Sequence, residues 1–357
     1  MQDSQSYRVL ANILMSGESS SRAMTILVPT DNYRQRLLGR LINDGMIRKF
    51  QKGELSGYRL TKKGKKILMS MNLERFAFYG ADNADFTMRR TAFQYRRRQH
   101  RISEVLAIMD RIDTDIYRDK KPAYFQMNGM QTIDLERSAF FHVKEVKEQA
   151  DLTRKIINSK MTGVWISKDI FWLCYNAFDE KMQWYENVER RAYILLSSMM
   201  RNSNSIHTCA LLFGQNMEMA KQYLADAKQQ AFIMSCSFEK VCYMPLDENG
   251  VFLLKLLSRK GLYQYLFSLL LEDATEKKET EYFIHDGFNQ DNNPILICID
   301  CDLKRLIQFR TQMLYAGRNY EIICFDFQKE VIKEYCGEGT KISTVDSGKI
   351  QKNFFSG

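Results

Sequence analysis

Four polar side chains, Asn32, Arg36, Arg40 and Asn43, recur at intervals of four, four and three residues, the spacing that lines one face of an α-helix. Two guanidiniums and two carboxamides are the groups that pair with guanine and adenine edges in a DNA major groove. Leu37, Leu38, Leu41 and Ile42 form the apolar stripe of the same stretch, so the helix has one side for packing and another for reading. Cations follow at once: Arg48, Lys49, Lys52 and Arg59, then Lys62, Lys63, Lys65 and Lys66. Such groups neutralise phosphates and hold a protein on duplex DNA without specifying sequence. A third basic group, Arg89, Arg90, Arg96, Arg97, Arg98 and Arg101, falls within thirteen residues that include no carboxylate. It points to further phosphate contact, with a dimerisation helix or a solvated face as the alternatives.

A second set of residues could do different chemistry. Asp300 and Asp302 follow the apolar run Ile295 to Ile299, and Asp326 follows Glu321 to Phe325. If those runs are neighbouring parallel strands, the three carboxylates meet at the sheet edge where open α/β sheets place ligands, and could hold Mg²⁺ for phosphodiester cleavage. The plainer reading makes each a helix N-cap, and it is the one expected, with no metal, no cofactor and no catalytic residue assigned. Cys298 and Cys301 form a lone C-x-x-C, and the cysteines at 174, 209, 236, 242, 324 and 336 supply no matching second pair, so core thiols are expected. His100, His142, His207 and His285 are isolated. Asp134 with Glu145-Val146-Lys147 has the letters of a nuclease site, but Glu145 falls at a helix start where such a site needs a strand. Gly337 to Lys341 lacks the spacing of a phosphate-binding loop. The chain leans towards a binding protein; a metal-dependent nickase and a ligand-responsive transcription regulator are the alternatives.

The elements that would position the basic groups can be read from turn signals. Tyr7 to Met15 has helical spacing of Val9, Leu10, Ile13 and Leu14; Ser20 or Ser21 caps a short helix to Leu27; and Val28-Pro29-Thr30-Asp31 is a turn. Gly45 stops the base-reading helix, a strand begins at Met46-Ile47, Gly53 and Gly57 bracket a hairpin loop, and Thr61 caps a lysine-rich helix. This order predicts a winged helix-turn-helix over residues 1–72. Residues 73–118 then read as a linker and one long helix, Met88 to Tyr117. Residues 119–357 alternate strands and helices: strands at 139–143, 163–167, 170–175, 208–213, 295–299 and 321–325, helices at 144–158, 217–229, 252–271 and 303–315. Unalternated runs such as Ile295 to Ile299 suit buried parallel strands. The fold class expected is mixed α/β, a winged helix-turn-helix and basic helix followed by a larger α/β domain with a partly parallel sheet.

Charge is distributed to match. Residues 1–118 hold 22 Lys and Arg against 12 Asp and Glu, a net of +10, so with the chain at +9 the remainder stands at −1. One module, not the whole surface, is built to meet a polyanion. With 45% hydrophobic residues in 357, the chain has material for two or three packed domains. The polar start MQDSQSYRVL and the shortness of the greasiest run, Tyr263 to Leu271, predict no leader and no membrane span. Scattered cysteines fit a reducing cytoplasm.

The hairpin ending YRLTKKGKKIL, followed by the basic helix QYRRRQHRISEVLAIMDRI and an α/β remainder, resembles the replication-relaxation proteins of plasmids and conjugative elements of Gram-positive bacteria. The resemblance covers about residues 7–118, and segments such as IICFDFQKE are similar to proteins of integrative elements. It implies a role in replication, transfer or regulation of a mobile element, with double-stranded DNA as partner, a homodimer as one arrangement, and replication or transfer proteins of the element as further partners. It supplies no catalytic residue.

Overall fold

A computed structural model describes residues 4–80, 92–121, 138–149, 159–167, 170–178, 185–199, 207–235, 237–259, 261–274, 284–338 and 340–355. The chain divides into two compact units, residues 1–155 with 160–166, and residues 156–159 with 167–357.

The first unit runs α1 (Gln5–Ser16), β1 (Ser19–Ser20), α2 (Ser21–Leu27), α3 (Asp31–Asn43), β2 (Ile47–Lys52), β3 (Leu55–Leu60), α4 (Lys62–Met71), α5 (Leu73–Gly80), α6 (Phe93–Arg111), β4 (Ala139–His142), α7 (Val143–Gln149) and β5 (Met161–Ser167). Its caps are side-chain hydroxyls: Ser4 accepts from Tyr7 N, Ser20 from Ala23 N and Thr61 from Gly64 N. Thr30 precedes α3 without a side-chain cap; Asp31 in the first turn accepts from Gln35 Nε2 at 2.8 Å instead. A three-stranded antiparallel sheet has the order β1-β3-β2. Gly45 (φ +68°) ends α3 and Gly53 (φ +58°) turns the hairpin, both in the left-handed region that suits glycine. Gly57 does not bracket the loop. It lies within β3, paired with Phe50 on one side and Ser20 on the other.

The basic helix is shorter than expected. α6 begins at Phe93 and stops at Arg111, with Asp113 at φ +57° beyond it; Arg89 and Arg90 lie outside the described residues. Its second half is core: Val105, Leu106, Ala107, Ile108 and Met109 are completely buried. It packs against α1 and α2, helped by Arg8 Nε to Asp110 Oδ2 at 2.6 Å and Arg111 Nη1 to Ile26 O at 3.1 Å. α6 is therefore built into the unit that contains α1 to α4, and that unit continues past residue 118 through β4, α7 and β5. β4 pairs antiparallel with β5. Of the helix expected at 144–158, α7 is described to Gln149 and the remainder lies outside the described residues.

The second unit runs β6 (Ile170–Phe178), α8 (Glu186–Met199), β7 (His207–Gly214), α9 (Met219–Ala225), α10 (Ala227–Ile233), β8 (Val241–Pro245), α11 (Glu248–Ser258), α12 (Leu262–Leu270), β9 (Gly287–Phe288), β10 (Pro294–Ile297), α13 (Leu303–Ala316), β11 (Tyr320–Phe325), α14 (Lys329–Cys336), β12 (Thr340–Val345) and α15 (Ser347–Phe355). β7 is parallel to β6 and to β8, β11 is parallel to β10 and to β12, and β9 pairs antiparallel at the edge of β10. Buried runs such as Cys209 to Phe213 supply these strands without alternation. The chain is mixed α/β with parallel-containing sheets, as expected. Two single helices expected from periodicity are each a pair. Asp226 accepts from Lys228 N and Gln229 N to start α10, and Gly261 at φ +76° separates α11 from α12. Among the described residues no helix is long and apolar enough to cross a membrane.

Candidate nucleic-acid interface

α3 exposes Asn32, Arg36, Arg40 and Asn43 and buries Leu37, Leu38 and Leu41. Ile42 is not part of that buried stripe; it is 40% exposed. Leu41 takes the inward position of the last turn, and the next residue lies about 100° further round the helix. The first turn of α4 is fixed at the C-terminal end of α3, because Thr61 Oγ1 donates to Gly45 O at 2.6 Å and Lys63 Nζ to Asp44 O at 2.8 Å. Gly64 allows the approach: a Cβ there would stand 2.2 Å from Met46 O. Lys62, exposed, is thus carried to the end of the polar face of α3, whereas Lys65 is half-buried. On the hairpin Arg48, Lys49 and Lys52 are exposed. Arg59, opposite Arg48 in the register, turns inward to a carboxylate.

That carboxylate is Glu18, fully buried in the turn between α1 and β1. It accepts from Arg59 Nε at 2.7 Å, from Arg96 Nε at 3.0 and 3.1 Å, and from Arg96 Nη2 at 2.7 Å. His100 Nε2 lies 2.7 Å away and donates, since an ionised carboxylate only accepts. Burial pushes the Glu18 carboxyl up, but the hydrogen bonds from His100, Arg96 and Arg59 outweigh it and bring it down to about 2.

The arginines of α6 are accordingly not the exposed row that their charge suggested. Arg96 is 1% exposed and committed to Glu18 and the hairpin backbone, so it cannot meet a phosphate. Arg97 lies over the Phe93 ring, Arg98 donates to Met161 O, and both are half-buried, as is Arg101. A helix whose second half is buried on most sides must continue its inward face into the first half, and Arg96, Gln99, His100 and Ser103 are that continuation at helical spacing. The signal was there in those four residues and in Glu18, the one acidic residue between Asp3 and Asp31.

Comparison with protein-family models, curated proteins and solved structures returned no match to this chain.

In the second unit the three aspartates part company. Asp300 is buried; its Oδ2 accepts from Lys240 Nζ at 3.1 Å and Tyr263 OH at 3.0 Å. Burial pushes its carboxyl up, but Lys240 and Arg305 hold it below the ordinary range. Asp302 caps α13: its Oδ1 accepts from Lys304 N, Arg305 N and Val241 N, while Oδ2 is buried with no hydrogen-bond partner among the described residues. Burial, then the charge of Asp300, push it up to about 6. Asp326 is exposed and accepts from Ser347 N, so it does not cap α14. Among the described residues no three His, Cys, Asp or Glu side chains are placed to hold a metal ion. The described cysteines are free and buried. Glu145 accepts from Lys121 Nζ at 2.6 Å and His142 N at 2.7 Å, a structural contact at the start of α7; Asp134 lies outside the described residues. A cavity of about 930 Å³ is lined by residues of α8, α10 and the segments that flank them, with Phe232, Phe238 and Tyr185 aromatic and Glu189, Arg190 and Lys228 charged.

Proposed function

We propose that this chain binds double-stranded DNA sequence-specifically through a winged helix-turn-helix, with α3 as recognition helix and the β2–β3 hairpin as wing. The observation that carries the reading is the set of eight exposed side chains, Asn32, Arg36, Arg40, Asn43, Arg48, Lys49, Lys52 and Lys62, displayed by elements whose apolar sides are buried. Asn and Arg on α3 have the donors and acceptors that read base edges, and the hairpin and α4 supply phosphate contacts. A role in replication, transfer or regulation of a mobile element follows from the resemblance of residues 7–118. Selection from a random duplex pool on the full chain tests it: recovery of a common sequence motif is expected, and its absence from a pool bound by an Arg36→Ala, Arg40→Ala variant is the control. Enrichment of the same motif by that variant contradicts the assignment of α3.

A second reading, in which the second unit senses a small ligand, is favoured by the cavity of about 930 Å³. Ligand pockets commonly span about 300–1,000 Å³ with mainly apolar walls and a few polar groups. A thermal-shift screen of small molecules on the full chain, repeated with Ala231→Trp to fill the cavity, tests it; shifts that survive the tryptophan contradict it.

A further inference from the structure

Among the described residues no strand lies beside the outer half of the β2–β3 hairpin. β1 pairs with β3 only at Tyr58 and Gly57, and β2 is an edge strand. A two-stranded hairpin standing alone is marginal in water. Beneath it lies one guanidinium. Arg96 Nη2 donates to Phe50 O at 3.1 Å and Leu55 O at 3.0 Å, and Nη1 to Lys52 O at 3.1 Å. These three carbonyls flank the Gly53-Glu54 turn, two on β2 and one on β3. Nε of the same group donates to Glu18, and Nη2 shares its two N–H groups among Glu18 and the Phe50 and Leu55 carbonyls. The Phe50 ring faces the guanidiniums of Arg59 at 3.9 Å and Arg96 at 4.6 Å, and Gly57 admits the arrangement because a Cβ there would stand 2.6 Å from His100 Nε2 and 2.7 Å from Glu18 Oε1.

We infer that Arg96 is a positioning residue for DNA binding: from inside the unit it fixes the hairpin so that Arg48, Lys49 and Lys52 meet the phosphates as one ordered group. This rests on the DNA-binding reading above. Arg96 is 1% exposed, so it touches no phosphate itself and acts on affinity through the groups that it holds. Only arginine can do this, because a planar fork of five N–H donors reaches a carboxylate and three carbonyls at once, whereas an ammonium has three donors at a single point. Arg96→Lys therefore removes the positioning and keeps the charge. Ordering a loose hairpin on binding costs affinity, and each phosphate that the hairpin no longer neutralises takes about 0.9 off the slope of log K against log salt.

The experiment is fluorescence anisotropy of the full chain on a labelled random-sequence duplex across a salt series. It compares the parent, Arg96→Lys, the hairpin variant Arg48→Ala with Lys49→Ala and Lys52→Ala, and the combination. Arg96→Lys is expected to weaken binding about tenfold and to reduce the salt slope by about 2, two or three phosphates at 0.9 each. The combination should be no weaker than the hairpin variant alone, and hydrogen exchange in Arg96→Lys should rise over residues 50–56 while α1 and α3 stay protected. An unchanged slope, or a loss that adds fully to the hairpin variant, overturns the inference while leaving DNA binding in place. Should Arg96→Lys not fold, Phe50→Leu, which removes the ring beside the guanidiniums of Arg59, Arg96 and, at 5.9 Å, Arg48, is expected to shift the slope in the same direction; an unchanged slope in that variant overturns the inference. Failure of the parent to bind any duplex overturns the reading beneath it and this inference together.

Discussion

Replacing Glu18 with glutamine keeps the shape of the side chain and removes the charge on which two arginines and a histidine converge. The carboxyl stands at about 2 against an ordinary 4.5, and at about 1.4 kcal/mol per pKa unit that depression corresponds to about 3 kcal/mol of stability at neutral pH. The independent expectation for removing one partner of a buried ion pair is about 3–5 kcal/mol, because Arg96 would be left buried and uncompensated. A carboxyl depressed on folding contributes fully above its unfolded pKa, near 4.5, and its contribution disappears as pH falls towards 2. Urea unfolding of the full chain, followed by hydrogen exchange of peptides from α1, β3 and α6, reads the first unit by itself. Glu18→Gln is expected to lie about 3–4 kcal/mol below the parent at pH 7 and only about 1 kcal/mol below it at pH 3. A gap under about 1 kcal/mol at pH 7, or one that is equal at both pH values, refutes the argument that this carboxylate is the ionised centre of the cluster.

Two other substitutions separate roles that charge alone does not. Arg36→Ala or Arg40→Ala should lose about 1–3 kcal/mol on the selected site and less on random duplex, while Lys62→Ala should weaken all sequences alike; competition titrations measure both, and identical behaviour would mean that α3 does not read bases. Asp302→Asn should cost less than about 1 kcal/mol at pH 7, since asparagine also caps and the aspartate, raised to about 6 by burial and Asp300, loses stability as pH rises through 4 to 6. Asp300→Asn should cost about 2 kcal/mol because it leaves Lys240 without its partner, less than a fully buried pair since that lysine side chain is 35% exposed; urea midpoints in the reverse order contradict these assignments.

Local codes were legible where one element decides the outcome. Gly45, Gly53 and Thr61 mark ends and caps that depend on a few neighbouring residues, and the apolar runs at β7, β10 and β11 declare buried strands by composition. What could not be read from local pattern was partnership across the chain. Arg96 and Arg97 are adjacent and identical in type, yet one meets Glu18, 78 residues earlier, while the other lies against Phe93. Gly57 looked like turn chemistry and is a strand residue whose missing Cβ makes room for that same cluster. Periodicity also ran through two breaks, because Asp226 and Gly261 interrupt apolar spacing that continues on both sides. The aspartates show the same limit. Asp300 and Asp302 are two positions apart, and only the fold gives one a lysine and the other three backbone amides.

The central claim is that the first unit meets duplex DNA through α3, the hairpin and α4. Its most direct test is the salt dependence of duplex binding by the full chain between about 50 and 200 mM, set beside the variant Arg36→Ala, Arg40→Ala, Lys49→Ala, Lys52→Ala. A linear fall of log K with log salt is expected, with a slope of magnitude about 4 for the four phosphate contacts of Arg48, Lys49, Lys52 and Lys62, and a slope shallower by about 2 in the variant, which lacks two of them. Absence of duplex binding, or binding whose slope the four substitutions leave unchanged, contradicts it.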